Sequence, residues 1–510
     1  MTALKQNAQP ADGAAGIGWA PRLAQELRLR QLEVLLAGAR GGAETIATEI
    51  ERAALLGAMD RPQDAQQAFI DILHRWPTNF SALNEFGTLL ASQGGIDAAC
   101  RVYAEAILHH PDNPMGHVNL ANLLLRANKH EQARVHYEAA LRADPDHAQA
   151  HQGLGAVLAD NGDRDGAREH FQRGFAGHAI SSLPYRGSEP PVMLLQLVSS
   201  GGGNIPTAPF LDDRIFLTSV VVADHLDPKA ALPPHQLIFN AIGDADLCES
   251  ALSAAVGLIA RSSAPVVNDP RAVMKSGRIG NAQRLAAVPG VVTPKTLSVA
   301  RDILAGPDGA AWIAHHQFKF PLLLRSPGYH TGRNFILIEK GADLAAAAAG
   351  LPGSDLLVIE YLDARGSDGR ARKYRVMMID RQIYPMHLAI SRNWKVHYFT
   401  SDMADQPDHR AEELAFLSDM PAVLGDKAMA ALAAIRDVLG LDYAGVDFGL
   451  GSDGDLLLFE ANATMVIAAP DPDPRWEYRR TAITGIIDAV VEMIRARARA
   501  GSAKGANPAG

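Results

Sequence analysis

Residues 80–181 repeat themselves. Three consecutive 34-residue segments, 80–113, 114–147 and 148–181, align without a gap, and 46–79 fits as a weaker first copy. The eighth position of each unit is small (Ala53, Gly87, Ala121, Gly155) and the twentieth is alanine (Ala65, Ala99, Ala133, Ala167). The twenty-fourth is aromatic (Phe69, Tyr103, Tyr137, Phe171), and Pro77, Pro111 and Pro145 close the first three units. Small residues let two helices approach closely, the ring fills the gap between them, and proline cannot continue the second helix. A unit of this length cannot bury its apolar face alone and must stack on its neighbours. The stretch is thereby committed to a solenoid of helix pairs. Pro21 to Ala43 is also helical in pattern and is read as a cap on the array.

These positions and this period resemble the tetratricopeptide repeat, which implies a concave groove that takes a peptide or protein partner. Asn84, Asn119 and Asn122 are generic candidates for its lining. The alternative is a packing or dimerisation module with no separable ligand.

Composition narrows the rest. Hydrophobic residues at 47% and charged residues at 21% are those of a soluble globular chain of several domains. A net charge of −9 argues against a nucleic-acid surface spread over the chain. Cys100 and Cys248 lie far apart with no metal-ligand spacing, as incidental thiols in a reducing compartment do. No apolar run suggests a secretory signal or a membrane span, so the expected location is cytoplasmic.

The chemistry concentrates near the end. Gly445-Val446-Asp447-Phe448, a Gly451-Ser452-Asp453-Gly454 turn and Phe459-Glu460-Ala461-Asn462 read as a β-hairpin. Asp447 and Glu460 lie symmetrically about Asp453-Gly454, so without a bulge their Cβ atoms face each other at roughly 4.5–5.5 Å. Asn462, two residues beyond Glu460, points from the same face. Opposed carboxylates repel unless a cation sits between them. Two carboxylates and an amide offer the hard oxygens that Mg²⁺ prefers, with phosphates completing the shell.

Between Ser188-Glu189-Pro190-Pro191 and that hairpin the texture is α/β. Strand-like runs at Val192–Val198, Arg214–Val222 and Gln236–Asn240 alternate with helical stretches such as Asp246–Arg261. Closely spaced runs follow at Pro321–Leu324, Asn334–Ile338, Leu356–Tyr361, Tyr374–Asp380 and Ile383–Ala389, a spacing that predicts antiparallel pairing. Helices are expected at Arg410–Leu417, Lys427–Leu439 and Trp476–Arg497. Glu412-Glu413 is placed at a helix start, where carboxylates favour the dipole. His387 and His397 lie in a segment rich in polar aromatics and are open to a substrate or a structural role.

This order resembles the ATP-grasp fold over roughly 190–497, in its ligase branch with glutathione synthetase, D-alanine–D-alanine ligase and the RimK-type enzymes. The fold class so implied is multidomain: an all-α tetratricopeptide-repeat solenoid, then an α/β (α+β) ATP-grasp fold. The divisions are a disordered 1–20, repeats over 21–181, a pre-ATP-grasp substrate domain at 190–265, the ATP-grasp domain at 266–497 and a disordered tail, 498–510. Asp447, Glu460 and Asn462 match the family's magnesium ligands in order and spacing. The loop from Arg325 to Arg333, carrying Gly328 and Gly332, resembles the one that closes over the triphosphate. Arg325 stands where the family usually has lysine, and Arg278 stands in for an upstream lysine. A guanidinium holds phosphate in bidentate fashion but is not the same point charge. Glu360-Tyr361-Leu362 corresponds to the adenine-facing hinge, the alternative for Glu360 being a strand-end carboxylate in solvent. Arg375 matches the arginine facing the reacting phosphate, the alternative being an edge-strand charge.

The resemblance implies an ATP- and Mg²⁺-dependent (or Mn²⁺-dependent) carboxylate–amine ligase acting through an acyl phosphate. Its substrates would be small-molecule or peptide carboxylates and amines, with a peptide or protein in the repeat groove and neither nucleic acid nor membrane as partner. The alternatives are a nucleotide-binding scaffold with a degenerate ATP-grasp domain, which Arg325 favours, and an ATP-grasp phosphotransferase.

Overall fold

The computed structural model describes residues 21–39, 42–327, 332–396, 398 and 401–505. The expected disorder of 1–20 lies outside them. The chain forms two compact units, the described residues of Met1–Leu194 with Asp212–Pro234, and Leu195–Leu211 with His235–Gly510.

In the first unit each repeat is a helix pair. After α1 (Pro21–Gly38) come α2 (Ala43–Ala58) and α3 (Pro62–Arg75), then α4 (Phe80–Ser92) and α5 (Ile96–His109). The last two pairs are α6 (Pro114–Arg126) with α7 (His130–Ala143), and α8 (Ala148–Asp160) with α9 (Arg164–Phe175). The final residue of one unit caps the next. Asn79 accepts from the Ala82 amide, Asn113 from Met115 and His147 from Ala150. Ala65, Ala99 and Ala133 are fully buried, with Phe69, Tyr103 and Tyr137 beside them. The small eighth position follows from the ring, since a Cβ on Gly87 would lie 2.6 Å from Tyr103 Cε1. Asn119 donates to Asn84 at 2.7 Å and Tyr137 to Asn122 at 2.6 Å, so these asparagines bond within the array. Strand β1 (Ile180–Ser182) follows, then β2 (Val192–Val198), within which the units divide, and β3 (Phe216–Val222). β1 pairs antiparallel with β3.

In the second unit β4 (Leu237–Asn240) and β5 (Val266–Val267) pair in parallel. Then come β6 (Val291–Val292), β7 (Thr296–Ala300), β8 (Leu322–Arg325), β9 (Phe335–Ile338) and β10 (Asp355–Glu360). Four of these make an antiparallel sheet in the order β7-β10-β8-β9. Leu304, Ile313, Leu344 and Ala348 from three short helices pack on its Leu324, Leu356 and Val358. The next strands are β11 (Ala371–Ile379), β12 (Gln382–Ser391), β13 (Tyr443–Leu450) and β14 (Leu456–Asn462). They form the sheet β12-β11-β13-β14-β6, antiparallel except where β6 joins β14. One face is apolar: Tyr374 stacks on Phe448 and meets Phe416 of the helix Pro407–Ser418 edge-on.

Two expectations change here. The helix carrying Glu412-Glu413 begins at Pro407, so the pair sits in its middle, and Glu413 is fully buried rather than solvated at a dipole. The last helix runs from Arg480 to Gly505, past the expected end at Arg497. The 498–510 tail is therefore helical as far as 505, and 506–510 lie outside the described residues.

Candidate functional site

The opposite face of that sheet carries one polar row. The register sets His387 of β12 opposite Arg375 of β11, Arg375 opposite Asp447 of β13, and Asp447 opposite Glu460 of β14. Directly opposed residues share a face, so four polar side chains lie across four strands. The two carboxylates meet by a route the sequence did not suggest. The hairpin loop runs from Gly451 to Asp455, closed by Gly451 N–H to Asp455 O at 2.8 Å, and is centred on Asp453 alone. On the turn side Phe448 pairs with Leu458, yet Asp447 pairs with Glu460, leaving Phe459 as a bulge. The off-centre turn and the extra residue cancel.

Protein cations already compensate both carboxylates. Arg375 Nε lies 2.5 Å from Asp447 Oδ1 and Nη2 lies 2.7 Å from Oδ2, while Lys373 Nζ is 3.1 Å from Oδ2. Burial pushes the Asp447 carboxyl up, and Arg375 with Lys373 more than reverses this, holding it below the carboxylate range. Arg278 Nη2 is 2.6 Å from Glu460 Oε1, which also accepts from Asn462 Nδ2 at 2.9 Å. Burial raises the Glu460 carboxyl, and Arg278 and Arg325 lower it further than that. Arg278 opens the helix Arg278–Leu285, where its own amide donates to Asp246 at 3.0 Å. Arg325 ends β8; burial, and then Arg278, pull its guanidinium down to about 10.

A cavity of about 220 Å³ is lined from both antiparallel sheets. Thr296, Ser298, Leu357, Ile359 and Arg325 come from one, Leu458, Glu460 and Asn462 from the other, with Arg278, Asp244 and Asp246 between. Asp244 turns its loop by accepting from the Asp246 and Leu247 amides, both at 2.9 Å.

Of the residues singled out by sequence, the fold places Arg278, Arg325, Glu460 and Asn462 on the cavity, and Asp447 with Arg375 beside Glu460 in the polar row without lining it. Glu360 is exposed at the end of β10, takes the Lys295 amide at 3.2 Å and does not line the cavity, nor do Tyr361 and Leu362. Gly332 and Arg333 line a separate depression with Phe335 and Lys395, whose ammonium donates to the Gly332 carbonyl. Gly328 and His397 lie outside the described residues.

Sequence reasoning passed over Lys373, although its i, i+2 spacing from Arg375 on a strand puts both on one face. It also gave no weight to the wall beyond His387. That imidazole is buried, its Nδ1 has no hydrogen-bond partner among the described residues, and its ring centroid is 4.9 Å from that of Tyr398. Burial first, then Arg375, hold it well below the ordinary histidine value. Tyr398 and Tyr478 donate to Glu413 at 3.0 and 2.5 Å, and Arg479 lies over the Tyr398 ring at 4.1 Å.

Among the described residues no three His, Cys, Asp or Glu side chains gather as a metal cluster. Asp447, Glu460 and Asn462 supply hard oxygens for part of a Mg²⁺ or Mn²⁺ shell, a set that fits such an ion only with phosphate oxygens added. Nor is any helix among the described residues long and apolar enough to cross a membrane.

The family model for the tetratricopeptide repeat matches residues 84–134 and 118–177, so tetratricopeptide repeats occupy the N-terminal region. The uncharacterised protein y4yS of Sinorhizobium fredii is 38% identical over 77 residues, 15% of this chain and 42% of that protein. The match thus spans less than half of that relative. Similar solved structures include MamA from Desulfovibrio magneticus RS-1, 21% identical over 30% of this chain and 86% of that one, with a TM-score of 0.26. Another is the ATP-grasp ligase PsnB complexed with precursor peptide PsnA2 and AMPPNP, 14% identical over 59% of this chain and 97% of that one, with a TM-score of 0.35. The site's own residues carry the functional reading.

Proposed function

We propose that the carboxy-terminal portion is an ATP- and Mg²⁺-dependent carboxylate–amine ligase, and that the repeats bind a peptide or protein partner. The observation that carries this reading is the row Arg375–Asp447–Glu460, set beside a cavity to which Arg278 and Arg325 bring positive charge. Leu357, Ile359 and Leu458 offer apolar surface to a flat base, while Arg278 and Arg325 meet phosphate oxygens. Asp447, Glu460 and Asn462 would hold Mg²⁺, which would supply positive charge to offset that of the phosphates. Arg375, fixed by its fork on Asp447, stabilises negative charge as the γ-phosphoryl passes to a substrate carboxylate. An amine then attacks the acyl carbon, the C–N bond forms, the C–O bond to phosphate breaks, the proton lost by the amine leaves with the phosphate, and ADP and hydrogen phosphate are the by-products.

Purified protein incubated with MgATP and pools of amino acids or cell extract tests this by ADP release and product mass. Ligation gives substrate-dependent ADP with a condensed product. A phosphorylated product that accumulates assigns phosphotransfer instead. Tight MgATP binding without turnover assigns the scaffold, the reading that Arg325 in place of lysine favours. Absence of nucleotide binding overturns all three.

A further inference from the structure

We propose that Lys373 is a second phosphoryl-binding residue of this site, taking the terminal phosphoryl group of a nucleoside triphosphate beside Arg375. The proposal rests on the nucleotide reading above.

Lys373 and Arg375 alternate on β11 and reach the same carboxylate. Arg375 alone occupies both oxygens of Asp447, through Nε and Nη2, in the planar fork that suits a carboxylate. Lys373 adds a second cation to Oδ2, and its side chain is only 15% exposed. Among the described residues one carboxylate, Asp447, therefore faces two half-buried cations. The other carboxylate of the row is committed to Arg278, and the residue opposite Lys373 on β12 is Ala389, which brings no charge. A partly desolvated cation that shares its counter-charge with a second cation gains little from it, and its repulsion with the neighbouring guanidinium adds to the cost. Stability does not call for this lysine. An arriving polyanion does.

The two cations also differ in what they can do. The guanidinium is rigid and stays on Asp447, whereas the ammonium sits on a flexible four-carbon stem with three rotatable donors. Lys373 can swing from Asp447 Oδ2 to a phosphoryl oxygen without dismantling the fork that holds the carboxylate. Tetrahedral phosphoryl oxygens, carrying more than one negative charge, suit such a point charge.

The test measures Mg²⁺-AMP-PNP and Mg²⁺-ADP affinity of the full chain by calorimetry, for wild type, Lys373→Met and Lys373→Arg, alongside thermal unfolding. Loss of one charged contact to the terminal phosphoryl weakens AMP-PNP by about tenfold in Lys373→Met. ADP, which lacks that group, changes by less than about twofold. Lys373→Arg keeps most of the AMP-PNP affinity, and Lys373→Met melts no lower than wild type. Equal losses for both nucleotides, or no loss for either, overturn the proposal; the second result would point to a substrate carboxylate instead. A Lys373→Met protein that melts several degrees lower makes the lysine a structural partner of Asp447 and also overturns it. Wild-type protein that binds neither nucleotide sinks the nucleotide reading itself, which is a different failure.

Discussion

The repeat array and the β12-β11-β13-β14 sheet hold their key side chains by opposite means. In the array, contacts are local: Tyr137 reaches Asn122 across 15 residues of chain, and its buried ring lies against Gly153. In the sheet, partners are remote and charged: Arg375 meets Asp447 across 72 residues, and Arg278 meets Glu460 across 182. A repeat can be read one unit at a time because each unit contains its own reasons. A charged row exists only once four strands have found their register.

The sharpest way to break this contrast is Asp447→Asn. Removing that charge from the row should lower turnover by about 100-fold or more, as for other preorganised electrostatic groups. It also leaves the half-buried Arg375 and Lys373 without the buried carboxylate that answers them, at about 3 kcal/mol. MgATP turnover and denaturant unfolding check both parts, and full activity would remove Asp447 from the site. Tyr137→Ala tests the array in its own terms. It should lose about 3–5 kcal/mol of repeat stability while AMP-PNP affinity stays unchanged. A smaller effect comes from Gly153→Ala, whose new Cβ would lie 2.1 Å from Tyr137 Cζ. Overpacking there should cost about 1–3 kcal/mol, read from the same unfolding curves.

The mildest test uses pH. His117 and His136 face each other through Nδ1 at 3.1 Å, and His151 and His170 do so at 2.8 Å one repeat later. His117 Nε2 lies 3.1 Å from the Pro111 carbonyl and His151 Nε2 lies 2.9 Å from the Pro145 carbonyl, so each donates there and accepts at Nδ1. Burial, then the partner imidazole, lower the values of His136 and His170. A base held below its unfolded value contributes stability above about pH 6.5 and loses it as pH falls further. The melting temperature of the repeats should therefore fall between pH 7 and 5. His136→Gln with His170→Gln should flatten that dependence, and an unchanged slope would show that the pairs do not set it.

Much of the fold was legible because its signals are short-range. Proline marks helix ends, and β2 spans the short apolar run expected as a strand, Val192–Val198. The site was legible in part. Asp447, Glu460 and Asn462 share a hairpin, so turn chemistry placed them together, though the bulge at Phe459 was invisible. Glu360, Tyr361, Leu362, Gly332 and Arg333 were placed by analogy of order, and the described cavity does not include them. Glu413 was misread because its partners are remote in sequence: Tyr398 on one side, and Tyr478 and Arg479 from the short 3-10 helix Pro474–Arg479 on the other, which no local pattern ties to it.

From the sequence alone came the 34-residue solenoid, the strand and helix order, and the hairpin that carries two carboxylates and an amide. Periodicity and turn chemistry act within a few tens of residues, which is the reach of such reasoning. Only the tertiary structure decided which cations answer those carboxylates, that His387 ends the same row, and that Lys373 is the second positive charge on Asp447. Those facts depend on strand register and burial, which no stretch of chain contains by itself.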